Sequence, residues 1–175
     1  MKPDRLRLLV LNAAILALAL VLPVAFHAVG LGGKFLPMFL PLLLNGFLSP
    51  VRWAVLTGGA APWASSLATG MPPLDPPVAL IMSVEGMALG GVAALVYRAG
   101  GRRVWPALVA AVVCGRAAAF ALTWILARSF SLPPAMTSAA VLLGGLPGVA
   151  LELAVVPLAL RALSKRDSLL FRHEQ

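Results

Sequence analysis

FLPMFLPLLLNGFLS, residues 35–49, decides how this chain is folded. At about 1.5 Å per residue a helix over this stretch would reach only about 22 Å, against a hydrocarbon core of about 30 Å. It also carries Pro37 and Pro41, so it either crosses a membrane as a short, broken span or dips in and returns. Its neighbours raise no such question. Apolar stretches over 8–29, 51–69, 77–97, 104–127 and 137–160 are separated by punctuated segments such as GMPPLDPP (70–77) and YRAGGRR (97–103).

Charge placement chooses between the two readings, because Lys and Arg of short loops collect on the cytoplasmic side. If 35–49 crosses, Lys2, Arg5, Arg7, Arg52, Arg98, Arg102, Arg103, Arg161, Lys165, Arg166 and Arg172 share the inside, and only Lys34 and Arg128 face out. If it does not, every later loop flips and just Lys2, Arg5, Arg7 and Arg128 remain inside. The expectation is an all-α bundle of six transmembrane helices, both termini cytoplasmic, forming one integral-membrane domain over 1–175. The first apolar run exceeds the 7 to 15 residues of a signal-peptide core, so it is read as a span.

Composition agrees. Of 175 residues, 61% are hydrophobic and 11% charged, where a soluble domain carries about 25% charged. The net charge of +8 would direct a soluble domain towards nucleic acid; in so apolar a chain it is a topology signal, and no nucleic-acid partner is expected. Cys114 has no second cysteine with which to pair and sits in an apolar run, so a buried thiol is expected. The pattern GxxxxGK[ST] is absent, so the chain is not expected to hydrolyse ATP alone. With His27 and His173 as the two histidines and no HExxH, neither metal nor cofactor is expected.

Ionisable residues inside spans cost about 3 kcal/mol unless they face a partner or a wet cavity. Glu85, Arg116 and Glu152 fall well inside the fourth, fifth and sixth spans, and His27 lies near the outer end of the first. An ion pair tying helices together accounts for one carboxylate; two carboxylates point to a polar, outward-opening pocket whose ligand offers hydrogen-bond donors or a positive ring. Span three adds Gly58, Gly59, Pro62, Ser65, Ser66 and Thr69, a face that either lines a pocket or bonds its own backbone. Trp63 and Trp124 are placed to stack on a flat ligand or to face lipid. Trp53, Tyr97 and Trp105 fall at cytoplasmic boundaries as interfacial anchors. GxxxG pairs at Gly86/Gly90 and Gly144/Gly148 favour close helix packing, and Ala13, Ala14 and Ala17 beside Asn12 form a small-residue face that invites another helix. The outer GLGGK segment (30–34) is free to move beside the proline-stiffened GMPPLDPP and SLPP (131–134), as a lid would be.

Taken in order, these elements resemble the substrate-binding S components of energy-coupling factor (ECF) vitamin transporters. The likeness rests on the AxxxA pair at Ala13 and Ala17, FHAVGLGGKFLPMFLPLLLNGFLSP (26–50), the segment 58–62, TGMPP (69–73), Glu85 with its following glycines, and GGLPGVALELAVVPLAL (144–160). It is nearest the branch with LPM and TGMPP motifs, associated with uptake of cobalamin precursors or related vitamins. That branch commonly has histidine after LPM, where this chain has Phe39. The resemblance implies a capture subunit in a prokaryotic cell membrane that takes a vitamin or vitamin precursor from outside. It would dock through Ala13 and Ala17 on a transmembrane coupling subunit driven by two cytoplasmic ATPases, and topple to release its ligand. Glu85, Arg116 and Glu152 are the expected ligand-binding residues, with His27, Asn45, Trp63, Ser66 and Met71 beside them.

Two other classes compete. An intramembrane enzyme would use the same acid, base and arginine, yet no catalytic residue set emerges from their spacing. A structural subunit of a membrane complex would bind no small molecule. A self-sufficient transporter would be expected to show internal repeats, and none is evident.

Overall fold

A computed structural model describes residues 5–75, 77–130 and 145–170. Among these the chain is helical without strands: α1 (Arg5–Ala28), α2 (Gly32–Phe35), α3 (Phe39–Leu48), α4 (Val51–Thr69), α5 (Val78–Ala99), α6 (Val104–Phe130) and α7 (Leu146–Leu170). Among the described residues four helices are long and apolar enough to cross a membrane, over Arg5–Ala28, Val78–Ala99, Val104–Arg128 and Leu146–Lys165. Lys2, the SLPP segment, the start of the sixth apolar stretch with Gly144, Arg172 and His173 lie outside the described residues.

The stretch 35–49 resolves into a 10-residue helix, α3, with a break before it. Leu36 adopts φ 46°, and the backbone N–H of Phe39 donates to its carbonyl at 3.0 Å. Pro41 is third in α3, where its missing N–H would have had no partner within the helix. Ser49, extended and followed by Pro50, ends it. At about 15 Å, α3 is half the thickness of a hydrocarbon core. It survives because it is central: Phe39, Pro41, Leu42, Leu43, Asn45, Gly46 and Phe47 are buried, and α1, α4, α5 and α7 pack round it. Irregular backbone is tolerated at membrane depth when protein, not lipid, surrounds it.

Glycine sets the spacing of α4 and α5. Gly58 and Gly86 face one another with no room for a Cβ on either, and Gly90 lies against the carbonyls of Ala54 and Leu42. Gly46 of α3 meets the Gly90 carbonyl and Ala93 in the same way. The expected GxxxG packing therefore holds for Gly86 and Gly90, and Gly148 of α7 lies against the backbone of Phe35.

A buried polar knot pins one end of the bundle. Asn12 of α1 donates to Ser49 Oγ at 3.1 Å and to its own helix at Leu8 O at 2.8 Å. Its Oδ1 accepts from Asn45 Nδ2 at 2.8 Å and from Thr57 Oγ1 at 2.7 Å. Arg98 of α5 donates to the carbonyls of Gly46 and Ser49, closing the C-terminus of α3. The knot joins the first half of α1, the end of α3, the start of α4 and the end of α5, so these helices alternate in direction. Arg5, Arg7, Arg52, Arg98, Arg102 and Arg103 gather at this end.

One sequence expectation is corrected. Cys114 is exposed on α6, not buried, because α6 turns an apolar side outward with Val109, Val113, Phe120 and Ile125. In a membrane helix an apolar run reports on lipid contact as readily as on a core.

Candidate functional site

The end of the bundle opposite the polar knot opens into a cavity of about 370 Å³, within the range of small-molecule sites. Pro23, Val24 and His27 of α1 form one wall, and Leu36, Pro37 and Met38, the break before α3, form the floor. Ser65 and Thr69 of α4, the Met71–Pro73 turn, and Val78 and Met82 of α5 complete it. Its lining is mainly apolar.

The serine and threonine face of α4 builds this turn. Ser65 Oγ donates to Met71 O at 2.6 Å and Ser66 Oγ to Pro72 O at 2.5 Å. Thr69 Oγ1 lies within bonding distance of Ser65 O and Met71 O, and Gly70, at φ 74°, turns the chain out of the helix. Both readings of that face are realised at once, since Ser65 and Thr69 bond backbone and also line the cavity. Across the opening, Nδ1 of His27 lies 2.7 Å from Pro23 O, and Gly32 of α2 rests directly on the imidazole ring.

A second polar assembly lies outside the cavity lining, with Glu85 one helical turn along α5 from the cavity's Met82. Arg116 Nη1 of α6 is 2.8 Å from Glu85 Oε1 of α5, and its guanidinium carbon sits 5.7 Å from the ring centroid of Phe39. Glu152 of α7 is 1% exposed, and neither of its oxygens has a hydrogen-bond partner among the described residues. Arg116 interacts electrostatically with both carboxylates, and its Nε and Nη2 are buried without a partner among the described residues. Three helices thus bring two acids and one base together with bonding capacity to spare.

The sequence candidates divide accordingly. Glu85, Arg116 and Glu152 assemble; His27 and Met71 line the cavity, and Ser66 supports its turn. Asn45 is elsewhere, fully buried in the polar knot at the far end. Trp63 is 43% exposed and is not part of the cavity lining. Trp124 has one face covered by the Arg128 guanidinium at 3.7 Å. Met38 and Met82 were missed as cavity residues, since a methionine in an apolar span carries no chemical signal of its own. Among the described residues no group of three or more His, Cys, Asp or Glu is arranged to hold a metal ion.

Apolar helices long enough to cross a membrane, and a small-molecule cavity at one end of their bundle, define a membrane protein that binds a small substrate. A family model described as "ECF transporter, substrate-specific component" matches residues 7–160, and the chain belongs to that family. Its members are substrate-binding subunits of membrane transporters, not catalysts. No curated protein and no solved structure matches the chain.

Proposed function

We propose that the chain crosses a prokaryotic cell membrane six times, with both termini inside, and captures a vitamin-like molecule from the outer face. The observation that carries this reading is the position of the 370 Å³ cavity at the end remote from Arg5, Arg7, Arg52, Arg98, Arg102 and Arg103. With arginines inside, the cavity opens outward. The alternation of direction from α1 through α3 and α4 to α5 supports counting the short α3 as a crossing, completed by the Leu36–Met38 break and α2.

In this reading a ligand enters past His27 and Met71, beside the turn that Ser66 holds, and finds its polar contacts one turn beyond the cavity lining at Glu85, Arg116 and Glu152. Ala13 and Ala17 are exposed on α1, amid exposed Leu9, Val10, Leu18 and Val21. This is the face that docks on a transmembrane coupling subunit, itself driven by two cytoplasmic ATPases. The LPM and TGMPP motifs, which contribute Met38 and Met71 to the cavity, favour the branch that takes up vitamin precursors.

The test is mass spectrometry of small molecules released on denaturing the purified chain. A stoichiometric vitamin-like compound is expected. An empty protein, still empty after incubation with a vitamin mixture, would overturn the capture reading.

A further inference from the structure

We infer that the Glu85–Arg116–Glu152 assembly receives a planar, singly positive nitrogen group of the captured molecule, an amidinium or protonated aminoheterocycle, with Glu152 as the receiving carboxylate. The inference rests on the capture reading and adds the chemical class of the ligand.

The charges set the class. Glu85 and Glu152 against Arg116 leave one negative charge uncompensated when all three are ionised. Glu85 is the carboxylate already paired, 2.8 Å from Arg116 Nη1. Glu152 is the one left over: 1% exposed, with neither oxygen hydrogen-bonded among the described residues. A buried carboxylate without donors is costly, and the cost is offset by a ligand that brings both a positive charge and N–H groups. Two parallel N–H donors match the two free oxygens, the geometry that makes carboxylate pairs strong.

The surroundings narrow the shape. The Phe39 ring lies against the Arg116 guanidinium, so the assembly has a flat wall beside its charges. Arg116 is 22% exposed while both acids are nearly closed off, which leaves its edge as the accessible side. Its Nε and Nη2, buried and without a partner among the described residues, are donors for an acceptor atom adjoining the positive group once the ligand is seated.

Benzamidinium, benzamide and benzoate share one shape and carry charges of plus one, zero and minus one, which makes them probes of this class. Thermal shift of the purified full chain in detergent near neutral pH should show benzamidinium binding at about tenfold lower concentration than benzamide, and no shift with benzoate. Glu152→Gln should erase that preference while melting, without probe, no lower than wild type, since it removes an unpaired charge. Equal or better binding of benzamide or benzoate, or a preference that survives Glu152→Gln, overturns the inference. Should Glu152→Gln fail to fold, the charge of the compound released from wild type decides. A cation supports the assignment, and a neutral or anionic compound sinks it while leaving the capture reading intact. Failure of the capture reading has a different signature: no compound retained and no probe bound.

Discussion

A Cβ placed on Gly58 would stand 2.3 Å from the carbonyl oxygen of Gly86, and one placed on Gly86 would stand 2.6 Å from the carbonyl oxygen of Gly58. These are backbone atoms and cannot swing aside, so any side chain at either position must push α4 and α5 apart. Gly58→Ala is expected to destabilise the bundle by about 1–3 kcal/mol, read as a lower melting temperature in detergent. Gly59→Ala meets only the flexible side chain of Met87, at 3.1 Å, and should lose far less. Equal losses at the two positions would show that backbone contact does not set the helix spacing.

Asn12 is the hub of the polar knot, accepting from Asn45 and Thr57 and donating to Ser49 and Leu8. Asn12→Ala strands two buried donors at once, for a loss of about 3 kcal/mol. Asn45→Ala removes the donor and leaves one lone pair of Asn12 unfilled, for a loss of about 1 kcal/mol. Because the knot is at the end opposite the cavity, neither change should alter the amount of small molecule that folded protein retains. Denaturation curves alongside mass spectrometry of retained compounds check both statements. A folded Asn45→Ala protein that comes out empty would return Asn45 to the ligand site.

What could be read from the residues follows from what burial costs. Glu85, Arg116 and Glu152 were legible as partners because an ionised group inside a span demands one, and the structure brings them together. Asn45 was legible as buried and polar, but an amide serves a helix tie as well as a ligand, and only the position of Asn12 on α1 decides between them. The short α3 was recognisable as unusual from Pro37, Pro41 and its length. That it is the covered centre of the bundle depends on Leu42, Leu43 and Phe47 all facing protein, which an apolar run does not reveal. Cys114 misleads for the same reason, since lipid and core select the same residues. The cavity wall of Pro23, Val24, Met38 and Met82 was the least legible part, because it is made of shape.

Ala13 and Ala17 face outward on α1, one turn apart, and among the described residues no helix covers them. If that face docks on a coupling subunit, Ala13→Val with Ala17→Val will hold the two backbones apart. Uptake in cells carrying the whole transporter should fall to background, while purified protein retains its small molecule and melts as wild type does. Retained uptake in the double variant would place docking on another face, and loss of folding would mean these alanines pack within the chain.

At the mouth of the cavity, a Cβ on Gly32 would fall 2.2 Å from Nδ1 of His27, an overlap that only movement of the ring or of α2 relieves. The ring is held where it is by its 2.7 Å contact with Pro23 O. Gly32→Ala should therefore destabilise the protein by displacing the imidazole. In a His27→Ala background the obstacle is gone and the same glycine change should have little effect. The four melting curves form a double-mutant cycle, with an expected coupling of about 1 kcal/mol. Strict additivity would mean that α2 does not rest on His27. Coupling of that size would make the imidazole the seat of α2, so that a ligand disturbing His27 shifts the GLGGK segment above the cavity.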